Sequence, residues 1–111
     1  MNLKLCNETF IIKRVDKNLK INLNNNIFCI VNEFDCLSLI EFASEHNTDK
    51  LKFRAFYIDN IFDFSQSGVL FEVLKPLKEN NISVLVISAF SRDYIFVNEL
   101  DYENAKNILK V

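Results

Sequence analysis

Glycine and proline occur once each in these 111 residues, tryptophan is absent, and His46 is the only histidine. So little glycine and proline excludes collagen-like repeats and low-complexity linkers, and points to a chain folded over most of its length. A lone histidine, with no cysteine pair at ligand spacing, excludes an ordinary zinc site. Cys6, Cys29 and Cys36 are odd in number and form no C-x-x-C motif. They read as ordinary thiols of a reduced, cytoplasmic chain. Positive charge is not in excess: thirteen Lys and Arg stand against fifteen Asp and Glu, a net charge of −2. Such a chain has no field for a phosphate backbone, so nucleic acid is not an expected partner. No apolar run approaches the ~20 residues that span a bilayer, and the opening MNLKLCNETF is too polar for a signal peptide. A membrane is not expected as a partner either.

Catalytic constellations are missing as well. There is no G-x-S-x-G elbow, no phosphate-binding glycine loop, and no histidine paired with an acidic residue. Ser65 and Ser67 have no base near them in sequence. The expectation is a non-enzyme that needs no cofactor and no metal.

What the chain has is apolar mass: half of its residues, including eleven Phe. A chain of this length buries roughly 65% of its unfolded surface, so a core can form without disulfides. Leu3 to Val15 reads as strand, in one or two pieces. Lys17 to Asn26 is a loop ending in three asparagines, which tolerate turn geometry. IFCIVN (27–32) and CLSLIEF (36–42), parted by Glu33, Phe34 and Asp35, read as a hairpin. The polar stretch 43–50 is the candidate boundary between a strand-rich unit, 1–50, and a second unit, 51–111. FRAFYID (53–59) opens the second unit as a strand.

Val69, Leu70, Val73, Leu74 and Leu77 recur at the spacing of one buried helix face. Ser65 or Ser67 can cap that helix, Asn80 and Asn81 end it, and Pro76 should bend or shorten its last turn. ISVLVISAF (82–90) is apolar on alternate and intervening positions alike, as in a strand covered on both faces. SRD (91–93) turns it into YIFVNE (94–99). LDYENAKNILK then offers Asp101 as the cap of a short closing helix with Ala105, Ile108 and Leu109 as its apolar stripe. The second half is thus β-α-β-β-α, one strand short of the split β-α-β-β-α-β unit. The N-terminal LKLC segment is a candidate to complete that sheet edge.

The segment DFSQSGVLFEVLKPLKENNISVLVISAFSRDYIFV resembles the ACT domain, in the form found in small tandem-ACT proteins related to cytosolic arginine sensors. The resemblance rests on Asp63, Phe64, Ser65, Gly68, Val69 and Leu70 at the turn and helix start. Pro76, Leu77, Ile82 and Ser83 follow, then Ile87, Ser88, Phe90, Asp93, Tyr94, Ile95 and Val97. The first half matches loosely, as a degenerate ACT-like unit. The chain departs from the pattern at Cys36, Asn60, Ala89 and Arg92. The resemblance implies an α+β, ferredoxin-like (ACT) fold of β-α-β-β-α units, amino-acid binding at the strand–helix turn, and a homodimer.

On that basis the candidate ligand-binding residues are Asp63, Phe64, Ser65, Gln66, Ser67, Gly68, Val69, Ser88, Phe90 and Asp93. The first turn of the helix offers N–H groups that attract a carboxylate. Gly68 either allows close backbone approach or relieves crowding where helix meets sheet. Asp63 either accepts from an α-amine or caps the helix. Asp93 either contacts ligand or is a solvated turn residue satisfied by Arg92, and Phe90 lines the pocket or joins the core. The leading expectation is a non-catalytic, amino-acid-binding regulatory or sensor module. The alternative is a ligand-free protein–protein assembly module on the same fold.

Overall fold

A computed structural model describes residues 3–24, 26–44, 51–59 and 67–111. The chain divides into two compact units, Glu8–Phe53 and a discontinuous unit of Met1–Asn7 with Arg54–Val111.

The Glu8–Phe53 unit holds strands β2 (Phe10–Asp16), β3 (Ile27–Asn32) and β4 (Cys36–Phe42), and the first two residues of β5 (Lys52–Asp59). Strand β4 lies between β3 and β2 and is antiparallel to both, while Phe10 and Ile11 pair with Phe53 and Lys52. The β3–β4 register slips between Ile27 and Cys29. This bulge brings Phe28 over Phe10 and Phe42, with ring centroids 5.1 to 5.8 Å apart. At the β3–β4 turn, Ser38 and Cys36 donate to one Glu33 carboxylate oxygen, and Lys17 bonds the Glu33 carbonyl and Asn32. The Ser38 hydroxyl, then the Cys36 thiol, hold the Glu33 carboxyl below its ordinary range. Burial, followed by the Glu33 contact, raises the Cys36 thiol, and burial raises Cys29, so both stay protonated at neutral pH.

The other unit carries β1 (Leu3–Leu5), the remainder of β5, helix α1 (Ser67–Glu79), β6 (Val84–Ser88), β7 (Arg92–Asn98) and helix α2 (Tyr102–Leu109). Its strand order is β1-β5-β7-β6. The strand lacking from the C-terminal half comes from the opposite end of the sequence: Leu3, Lys4 and Leu5 lie antiparallel beside Ile58, Tyr57 and Phe56. Both helices cover one sheet face. Phe56 and Ile58 of β5 and Ile95 and Val97 of β7 meet Val73 and Leu77 of α1 and Tyr102 and Ala105 of α2. Arg54 spans the same side, 4.1 Å over the Tyr102 ring and donating to the Cys6 carbonyl at 3.4 Å.

The helix ends follow local chemistry. Asn81 takes a left-handed φ of 61°, and the N–H of Ile82 donates to the Leu77 carbonyl at 3.0 Å and that of Asn81 to Lys78 at 3.0 Å. This is the paired-bond stop in which asparagine can replace glycine, with Ile82 and Leu77 in apolar contact across it. Pro76 does not end α1, which continues to Glu79. Asp101 makes no side-chain cap to α2; the Asn98 side chain accepts from Leu100 N–H at 2.9 Å instead, starting a 3₁₀ turn (Glu99–Asp101) that runs into the helix.

One expectation fails on burial. The 82–90 segment is not covered on both faces: β6 spans only Val84–Ser88 and lies at the end of the strand order, with Val84 37% and Leu85 40% exposed. Among the described residues no helix is long and apolar enough to cross a membrane.

Candidate functional site

Side chains alternate across a strand, so β7 sends Asp93, Ile95 and Val97 toward the helices and Arg92, Tyr94 and Phe96 to the other face. Ser88 pairs directly with Asp93 in the β6–β7 ladder, and the two share the helix-covered face. Three residues separate the end of α1 from Ser83. A 13-residue helix rises about 20 Å and a five-residue strand about 17 Å, so α1 runs back along β6. Its first turn, with Ser67, Gly68 and Val69, lies toward the sheet end where Ser88 and Asp93 stand. Val69 is half-buried against the core.

Gly68 has no positive φ, and a Cβ built there meets none of the described residues within 4 Å. Among the described residues, neither backbone geometry nor crowding calls for glycine at this position. Phe90 stands 75% exposed at the β6–β7 tip rather than in the core. The tip is closed by the Ala89 N–H donating to the Arg92 carbonyl at 2.8 Å. Asp63, Phe64, Ser65 and Gln66 lie outside the described residues, as does His46.

Arg92 does not serve Asp93. Its Nε donates to Asp59 Oδ1 at 2.7 Å on the opposite sheet face, and Lys4 bonds the other oxygen of the same carboxylate. The Tyr57 and Tyr94 rings stand 6.1 Å apart beside this pair, with the Arg92 guanidinium 5.9 Å from the Tyr57 centroid. Lys4, Asp59 and Arg92 thus clamp β1, β5 and β7 together at the C-terminal end of β5. The Lys4 hydrogen bond, with help from Arg92, holds the Asp59 carboxyl below its ordinary range; the same bonds raise Lys4 and Arg92. Sequence reasoning missed this clamp. Its members are 55 and 33 residues apart, and only the strand order brings them together.

The sequence profile of the ACT domain matches residues 50–111. The chain belongs to the ACT domain family. The match takes in β5, both helices, β6 and β7, which are the described elements of the helix-bearing unit apart from β1. Among solved structures, a crystal structure of a protein from Agrobacterium tumefaciens is 24% identical with a TM-score of 0.76. The alignment covers 97% of this chain and 85% of that one. A Vibrio cholerae protein of unknown function, described as a possible transport protein, is 20% identical with a TM-score of 0.78, over 97% of this chain and 86% of its own. At such identity the likeness is one of fold. No curated protein matches the chain.

Proposed function

We propose that this ACT-domain chain is a non-catalytic regulatory module that binds a free amino acid at the sheet end where the first turn of α1, Ser88 and Asp93 stand. The observation that supports the reading is Gly68, in the first helical turn at that sheet end, where neither its backbone nor packing against the described residues requires a glycine. Helix N–H groups suit the α-carboxylate, and Gly68 lets the ligand approach the backbone. Asp93, with Asp63 of the turn, suits the α-amine. The strand order is ferredoxin-like, with β1 taking the place of the last strand. Pairing of two chains in a cytoplasmic dimer belongs to the same reading.

Calorimetric titration with the twenty amino acids tests it. Binding by one or a few chemically related members is the expected outcome; a flat panel at millimolar concentration with well-folded protein overturns it. A second reading, a ligand-free assembly module, is favoured by the exposed apolar residues of β6, and it predicts that flat panel together with an oligomer indifferent to amino acids.

A further inference from the structure

Tyr102, buried at the start of α2, draws two cations to one ring. The Arg54 guanidinium carbon lies 4.1 Å from the ring centroid and the Lys106 ammonium 5.3 Å from it. The ring attracts each of them, yet each brings like charge toward the other. Countercharge is scant. Glu103 meets Lys106 at 3.3 Å with its side chain 79% exposed, and among the described residues no carboxylate bonds Arg54. Hydrogen bonds are scant as well. Of the five N–H donors of a guanidinium, one reaches the Cys6 carbonyl at a long 3.4 Å. Arg54 Nε is sealed from solvent and has no acceptor among the described residues. A buried donor left without a partner is costly, and native structures hold few of them. The Lys106 side chain is 26% exposed, so the cluster reaches solvent along α2.

We propose that Arg54 and Lys106 hold a phosphate group, free or carried by a small metabolite, at a second ligand site beside Tyr102. Two cations against one water-screened carboxylate suit a dianion better than the single charge of a carboxylate. A pair of phosphate oxygens takes the guanidinium edge that includes Nε, and a third oxygen meets the Lys106 ammonium as a point charge. The guanidinium turns on its stem to bring Nε–H to the incoming oxygen, giving up only the long bond to Cys6. The anion thus supplies the acceptor that the chain does not. Asp93 stands second in β7, and Tyr102 follows the far end of that strand. This site and the amino-acid site therefore lie at opposite ends of the sheet, and either can fail alone.

The test follows the Arg54 Nε–H signal in proton–nitrogen spectra, identified by its loss in Arg54→Lys, during titration with sodium phosphate and with glycerol phosphate. Sodium acetate and sodium chloride at matched ionic strength are the controls. Phosphate, its ester, or both should shift the signal saturably, and the tighter of the two names the source. Affinities in the variants are read from the Tyr102 and Lys106-position amides. Lys106→Gln removes a partly exposed charge, so circular dichroism should stay unchanged while phosphate affinity falls at least about tenfold. Arg54→Lys keeps the charge but loses the planar fork, and should weaken binding at least as much. Lys75→Gln, which removes the same charge from α1, should change nothing. An Nε–H signal that neither phosphate compound moves, an equal response to acetate or chloride, or equal losses in Lys75→Gln and Lys106→Gln overturns the proposal.

Discussion

Replacing Gly68 by alanine should make the protein more stable. A glycine inside a helix costs about 0.5–1 kcal/mol relative to alanine, through the backbone entropy lost on folding. Most glycines resist replacement because φ is positive or because a side chain would collide. Gly68 has no positive φ, and among the described residues a side chain there would collide with nothing. The gain should approach that of substitutions at compatible backbone geometry, about 0.4–1 kcal/mol. With an unfolding entropy near 2.1 cal/mol/K per residue, the melting temperature should rise by about 2–4 °C for a domain of roughly this size. Urea unfolding and a thermal scan followed by circular dichroism read both quantities. Amino-acid affinity should fall in the same variant, and Gly68→Leu should abolish it while the fold persists. A loss of stability in Gly68→Ala would refute the reasoning, since it would mean that the helix start needs glycine for its own geometry.

Asp93→Ala should lower amino-acid affinity by at least about tenfold, a hydrogen bond to a charged group contributing ~1.5–3 kcal/mol, with an unchanged far-ultraviolet spectrum; calorimetry decides. Asn98→Ala should cost about 1 kcal/mol as a lost cap, whereas Asp101→Ala should be nearly neutral, as urea midpoints will show. Phe56→Ala should cost about 3–5 kcal/mol, since this ring is fully buried between sheet and helices. The Asp59 clamp makes stability pH-dependent. Its folded carboxyl titrates below the unfolded one, so its contribution is complete above the unfolded value of about 3.9 and disappears as pH falls through the folded value. Asp59→Asn should therefore flatten the stability profile below about pH 4 while changing little of its shape near neutrality.

Much of the fold was legible because local signals agreed with tertiary ones. The strands at 27–32 and 36–42 were bounded by asparagines on one side and Glu33–Asp35 between them. Helix α1 declared itself by its apolar spacing and by Asn80–Asn81, and the left-handed Asn81 is the stop that asparagine chemistry permits. What escaped were features set by neighbours distant in sequence. A run apolar on both faces signals burial, yet β6 lies at an edge, because strand order decides which runs find partners. Asn98 displaced Asp101 as the capping residue because a 3₁₀ turn begins three residues before α2. Arg92 had Asp93 beside it in sequence, but neighbours along a strand face opposite ways, and Asp59 is what shares its face. For the candidate site, the positions of Gly68, Ser88 and Asp93 at one sheet end follow from topology that the sequence suggested. The Lys4–Asp59–Arg92 clamp at the end of β5 required the N-terminal strand to lie beside that strand.

Amide chemical-shift mapping during titration with the tightest-binding amino acid tests the central claim most directly, since it reports where the ligand sits. The account predicts saturable changes concentrated at residues 63–69, Ser88 and Asp93, with β2, β3 and β4 little affected. Changes centred elsewhere, or a spectrum unmoved by every amino acid, would contradict it.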